Sequence, residues 1–166
     1  IAHADTAMYQ AKEAGKNAWR KYRPDLDTSR EMITRLSWND RIAKALEKNL
    51  LCLHHQGVYH AASGELAHLE VLVRMVDEED QKRLIMPGHF IHQAEKSGKI
   101  LDIDRWVIRE SIKLLAQSEL IPSLAINISG RSFDEPTLPH YIAEQLKEFN
   151  VEPSRLLIEL TETSAV

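Results

Sequence analysis

The sequence predicts an α/β fold in which a parallel sheet follows an antiparallel hairpin. Three observations predict it. From about residue 51 onward, apolar segments of strand length alternate with segments of helical period. The later strand segments, Leu124-Ala-Ile-Asn-Ile-Ser129 and Leu156-Leu-Ile-Glu-Leu160, are near-continuous apolar runs, as strands covered on both faces require. Helical stretches separate them, and parallel neighbours need such crossovers.

Residues 1–22 read as a helix. Asp5 to Ala14 contains no breaker, Ala4, Met8 and Ala11 recur at helical spacing, and Gly15 suits the terminus with Lys12 and Lys16 in the last turn. Residues 23–29 form a polar linker with Pro24. Thr28 or Ser29 then caps a second helix to about Glu47, with Met32, Leu36 and Ala43 on one face. At Leu51 the period changes to that of a strand, which runs to His60. Ala62-Ser-Gly64 is turn-like, and Glu65 to Met75 returns as a second strand, giving the hairpin. Residues 77–83 read as a charged, solvated loop. Pro87 opens a helix to about Lys96 that Gly98 ends. A longer helix follows from about Ile103 to Ser118. Pro122 precedes the buried strand at 124–129, Pro136 opens a helix ending near Asn150, and Pro153 precedes the buried strand at 156–160. There is no internal repeat.

Composition narrows the function. The net charge of -4 gives no basic field with which to gather a nucleic acid polymer, so any nucleotide must be held by local chemistry. A single cysteine, Cys52, rules out an internal disulfide and fits a reducing, cytoplasmic setting. No apolar run is long enough to span a bilayer, so this segment is expected to make no membrane contact. The start at Ile1, without a signal-peptide layout, suggests a piece of a longer chain whose sensing or membrane-attached segments lie upstream.

Three polar residues interrupt apolar strands: Glu70 in His68-Leu-Glu-Val-Leu-Val, Asn127 in Ala-Ile-Asn-Ile, and Glu159 in Leu-Ile-Glu-Leu. A buried carboxylate without a partner is costly. Two carboxylates and an amide on separate strands suit the all-oxygen coordination of Mg²⁺, Mn²⁺ or Ca²⁺. Each could equally face solvent or a partner, and spacing alone leaves both readings open. Other candidates are weaker. His54 and His55 are adjacent and point to opposite faces of a strand, so they do not readily chelate one ion. His89 and His92 stand at i, i+3 on a helix but lack a third zinc ligand nearby. Cys52 reads as a small core residue, and Trp38 and Trp106 as core or interface.

Five motifs in order make residues 45–166 resemble the N-terminal half of an EAL domain. His55-Gln56-Gly57 stands for the family's Tyr-Gln-Pro, and Glu70-Val-Leu-Val-Arg74 for Glu-Ala-Leu-Leu-Arg. Pro87-Gly-His-Phe-Ile91 with Ala94-Glu-Lys-Ser-Gly98 stands for Pro-x-x-Phe-Ile and Ala-Glu-x-x-Gly. Asn127-Ile-Ser129 and Glu159-Leu-Thr-Glu162 stand for Asn-Leu-Ser and Glu-Ile-Thr-Glu. The resemblance implies a (β/α) barrel with an antiparallel first strand that hydrolyses cyclic di-GMP to its linear dinucleotide with Mg²⁺ or Mn²⁺. It implies Glu70, Asn127 and Glu159 as metal ligands, Gln56, Leu72 and Arg74 as substrate contacts, and Glu162 as support for the next active-site loop. Gly57 in place of Pro is expected to loosen the first strand end, and Met75-Val-Asp-Glu-Glu-Asp80 replaces the family's His-Pro loop. The family's Asp-Asp motif and water-positioning lysine are expected beyond Val166, so no catalytic base is assigned, the barrel is partial, and the chain alone is expected to be inactive and to self-associate.

Residues 4–22, with Ala4-Asp-Thr-Ala-Met-Tyr-Gln-Ala-Lys12 and Gly15-Lys-Asn17, resemble the closing helix of a GGDEF domain. In that family the positions of Lys12 and Lys16 approach GTP; here a solvated basic helix end is the better reading. The layout is then 1–22 GGDEF tail, 23–47 linker and first EAL helix, and 48–166 partial EAL domain. The alternative to an enzyme is an EAL-type receptor that binds cyclic di-GMP without cleaving it.

Overall fold

A computed structural model describes Ala4, Ala7, Met8, Ala11 and residues 29–160. The expected GGDEF tail and Glu162 therefore lie largely or wholly outside the described residues. The chain divides into two compact units, Ile1–Asp40 and Arg41–Val166. In the first, Ala4, Ala7, Met8 and Ala11 are helical, and helix α1 begins at Ser29. Its expected apolar stripe is not a buried one, since Leu36 is exposed.

The second unit opens with the end of α1 (Ser29–Glu47), which buries Ile42 and Ala45. Asn49, in the left-handed region at φ 57°, stops the helix, and Leu50 N donates to Ala45 O. Then come β1 (Leu51–Tyr59), β2 (Leu66–Val76), the short β3 (Leu84–Ile85), α2 (Pro87–Ser97), α3 (Ile100–Gln117), β4 (Leu124–Ile128), a four-residue α4 (Gly130–Phe133), α5 (Leu138–Glu148), a 3-10 turn at Pro153–Arg155, and β5 (Leu156–Leu160). The sheet runs β1-β2-β4-β5, with β3 paired to β2. β1 and β3 are antiparallel to β2; β2, β4 and β5 are parallel. This is the expected hairpin followed by the expected crossovers. Gly98, at φ 81°, closes α2 by donating to Glu95 O, as the sequence predicts. α3 begins at Ile100, three residues before the expected start, because Ile100 and Ile103 belong to the same buried stripe.

One sheet face carries the core. Leu69 pairs with Leu124 and Val71 with Ile126; Val71, Met75, Leu124, Ile126 and Ile128 are buried, together with Ile103, Val107, Ile108, Ile112 and Leu115 of α3 and Phe90 and Ala94 of α2. Burial of this kind contributes about 25 cal/mol per Å² of apolar surface. α5 is held on α3 by polar and aromatic contacts: Arg109 donates to both Glu148 carboxylate oxygens at 3.0 Å and lies over the Phe149 ring, while Arg105 lies over Tyr141.

One expectation needs correction. β5 is not buried: Leu157, Ile158 and Leu160 are about 40% exposed, because among the described residues β5 pairs on one side only. The 77–83 segment is the expected charged, solvated loop, exposed from Glu78 to Arg83. Asp77 Oδ1 accepts from Glu79 N at 3.0 Å, its other oxygen lies 3.6 Å from Arg41 Nη2 of α1, and Glu78 pairs with Lys48. At Gly57 the Tyr59 ring lies where a side chain would be, since a Cβ there would stand 2.6 Å from Tyr59 Cε2, and the β1–β2 register shifts just beyond, between Val58 and Tyr59.

Candidate functional site

Side chains alternate along β2, so Glu70, Leu72 and Arg74 share the face opposite the buried one. The register fixes their neighbours. On β1, Gln56 pairs with Glu70, His54 with Leu72 and Cys52 with Arg74. On β4, Ala125 pairs with Glu70, which places Asn127 one step nearer the C-terminal strand ends on the same face. Asn127 in turn pairs with Glu159 of β5. Asn127 Nδ2 donates to Glu70 Oε1 at 3.1 Å. Three residues far apart in the chain thus meet on one face of three parallel strands.

Their exposure differs from the sequence expectation. Glu70 and Asn127 are half-buried and Glu159 is exposed. The cost of an unpaired buried carboxylate is therefore not what explains them; their shared face is. Gln56 is exposed beside Glu70, and Leu72 and Arg74 are half-buried, with Arg74 Nη1 donating to its neighbour's carbonyl, Val73 O, at 2.8 Å. Burial raises the Cys52 thiol pKa, with Arg74 pulling the other way, so Cys52 is poorly suited to be a nucleophile. Among the described residues no three His, Cys, Asp or Glu side chains gather to hold a metal, and the i, i+3 pair His89 and His92 makes no such site.

The structure adds two residues that the sequence reading did not single out for function in this way. Asp104 of α3 is buried, and its Oδ2 accepts from Ser129 Oγ at 2.6 Å and Ser129 N at 3.0 Å. Ser129 Oγ in turn accepts from Ser132 N, capping α4. This chain fixes the backbone two residues after Asn127. Burial pushes the Asp104 pKa up, and the Ser129 bonds oppose that. The signal was present in the sequence: Asp104 sits on the apolar stripe of α3, between Ile103 and Val107, where a charge needs a partner. Arg74, Asn127, Ser129 and Asp104 all reach a cavity of about 700 Å³ between the end of β2 and helices α2 and α3. Pro87, Ile91, Ile103 and Val107 supply its apolar walls.

This geometry has counterparts. A family model described as the EAL domain matches residues 39–166. The chain is 34% identical to the cyclic di-GMP phosphodiesterase PdeR of Escherichia coli strain K12, over all of this chain and 25% of that protein. It is 32% identical to the bifunctional diguanylate cyclase/cyclic di-GMP phosphodiesterase MucR of Pseudomonas aeruginosa, over all of this chain and 24% of that one. Among solved structures, the PaMucR phosphodiesterase in complex with c-di-GMP superposes with a TM-score of 0.71 at 30% identity, covering 78% of this chain and 53% of that one. The FimX EAL domain of Pseudomonas aeruginosa bound to c-di-GMP gives 0.68 at 32%, covering 77% and 51%. The chain spans about a quarter of these curated relatives and about half of these solved chains. With the family model covering most of its length and Glu70, Asn127 and Glu159 arranged on one face, the chain belongs to the EAL domain family.

Proposed function

We propose that this chain is part of a phosphodiesterase that hydrolyses cyclic di-GMP to the linear dinucleotide. The observation that carries the reading is the grouping of Glu70, Asn127 and Glu159 on one face of three parallel strands, beside a cavity of about 700 Å³. The donor set fits a hard divalent cation. It offers carboxylate and amide oxygens only, and the bond from Asn127 Nδ2 to Glu70 leaves the amide oxygen of Asn127 as the atom available to an ion. Glu70, Asn127 and Glu159 would hold Mg²⁺ or Mn²⁺. Such an ion, when bound, supplies Lewis acidity and lowers the pKa of water for attack on phosphorus.

The chain's own residues bind and orient. Gln56 stands beside Glu70 and hydrogen-bonds the nucleotide. Leu72 gives it an apolar floor, and Arg74 pairs with a phosphate oxygen. The cavity accepts a guanine: Pro87, Ile91 and Ile103 flank the ring, and the Asp104 carboxylate offers an acceptor to the guanine N–H edge. Relatives such as MucR align across the whole chain, which supports reading residues 1–22 as the tail of a GGDEF domain and 23–47 as its connection, in a cytoplasmic signalling protein.

The test is hydrolysis of cyclic di-GMP by the whole protein with Mg²⁺ or Mn²⁺. Linear dinucleotide should appear, and Glu70→Gln should reduce the rate at least ~100-fold. Tight binding without product would favour the receptor instead. Near parental turnover of Glu70→Gln would overturn the ligand assignment.

A further inference from the structure

The two adjacent histidines of β1 face different surroundings. His55 pairs with Val71 and, though exposed, lines a shallow pocket with Trp106 and Glu110 of α3; partial desolvation and the neighbouring His54 both lower its pKa. His54 pairs with Leu72, so its side chain stands on the face of Gln56, Glu70, Leu72 and Arg74. Leu72 lies directly opposite, Glu70 and Arg74 on the diagonals, and Cys52 and Gln56 two residues away along the strand. Such neighbours are within reach of one another's side chains. His54 is exposed, and no hydrogen bond ties its side chain to another described residue. A zinc role does not account for it, because no three ligating side chains gather among the described residues.

We propose that His54 is a direct contact to the bound dinucleotide, donating a ring N–H to a phosphodiester oxygen beside Arg74. The argument is placement and charge. The face carries the carboxylates of Glu70 and Glu159, which repel an anionic ligand, and Arg74 is its one permanent cation among the described residues. His68, on the same face, pairs with Val58 below Glu70, away from the strand ends. His54 is level with Leu72, between Gln56 and Arg74, where a second donor to phosphate is needed. An imidazole suits this: it donates when neutral and adds charge when protonated. The inference rests on reading the site as one for cyclic di-GMP.

The experiment uses the whole protein and cyclic di-GMP, with two readouts: Kd by calorimetry in chelator, and kcat and KM with Mg²⁺. His54→Ala and His54→Phe should each raise Kd and KM about ten-fold and leave kcat within about three-fold. His54→Gln keeps a donor and should recover most of the binding. His55→Ala, on the opposite face, should leave Kd within about two-fold. Should His54→Ala fold poorly, the Phe and Gln pair decides, since both retain side-chain bulk. Unchanged Kd in His54→Phe, or a loss confined to kcat, would overturn the contact. A parent protein that neither binds nor cleaves cyclic di-GMP would overturn the proposed function itself, a result distinct from a parent that binds and variants that do not differ.

Discussion

Asn127 donates its side-chain N–H to Glu70 across two parallel strands at 3.1 Å, although 57 residues separate them in sequence. The bond joins a neutral amide to a carboxylate, so it orients both without adding charge. That orientation predicts the effect of adding charge. Asn127→Asp would set two half-buried carboxylates at hydrogen-bond distance, a repulsion on the order of 1 kcal/mol under full water screening and roughly 5 kcal/mol at the dielectric typical near a protein surface. In chelator the variant should melt below the parent. Added Mg²⁺ should raise its Tm by more than it raises the parent's, because a cation screens the pair. Equal Mg²⁺ increments in both chains would mean that the ion does not reach these residues.

The buried Asp104 gives a pH signature. Its folded-state pKa is raised, chiefly by burial, above the ordinary value of 3.8. A carboxyl raised in this way binds its proton more tightly when folded. The stability it contributes is complete below 3.8 and is lost as pH rises through the folded value. Asp104→Asn has no proton to lose, and its amide oxygen can still accept from Ser129 N. The stability difference, variant minus parent, should therefore climb with pH across the acid range and then level. Asp77 and Glu148, whose pKa values are lowered, act in the opposite sense but are common to both chains. Denaturant unfolding at a series of pH values checks this; a flat difference would show that Asp104 ionises as readily folded as unfolded.

The architecture was legible because apolar patterning records which faces are covered. The hairpin, the two crossovers and the Gly98 stop follow from strand period, strand length and turn chemistry. What was not legible depends on neighbours. The run Leu156-Leu-Ile-Glu-Leu160 has the composition of a central strand, yet composition cannot say whether a partner lies on its far side. Glu70, Asn127 and Glu159 stood out as polar interruptions, but their common face comes from register, which no single strand encodes. Asp104 was not legible because a lone charge in a helix reads as solvent-facing until Ser129, from another element, is placed beside it.

Arg155 illustrates a long-range contact of that sort. α3 ends without a basic residue in its last turn, and Arg155, from the turn before β5, supplies the cation. It donates to Leu115 O at 3.1 Å, Ser118 O at 2.8 Å and Ile121 O at 2.7 Å. Arg155→Ala should destabilise the fold by about 2 kcal/mol, as those carbonyls lose a charged donor. Arg155→Lys should recover less than half, because one ammonium cannot span three carbonyls as a planar fork does. Thermal or denaturant unfolding of the three chains measures it; equal stability of Ala and Lys variants would assign the effect to packing of the side-chain stem.

The exposed β5 strand carries the last expectation. Leu157, Ile158 and Leu160 remain about 40% exposed beside backbone groups paired on one side only among the described residues. β1 lies at the other end of the same sheet, with Val58 and Tyr59 also exposed. Unpaired edges bearing apolar side chains recruit further strands. The chain expressed by itself should therefore self-associate at micromolar concentration, seen as a concentration-dependent shift in sedimentation velocity. Ile158→Lys places a charge on that edge and should shift the equilibrium toward monomer while leaving the buried α3 and β4 core, and hence the Tm, nearly unchanged. A chain that stays monomeric across the concentration series would show that the β5 edge is covered in solution, and the lysine variant would then match the parent.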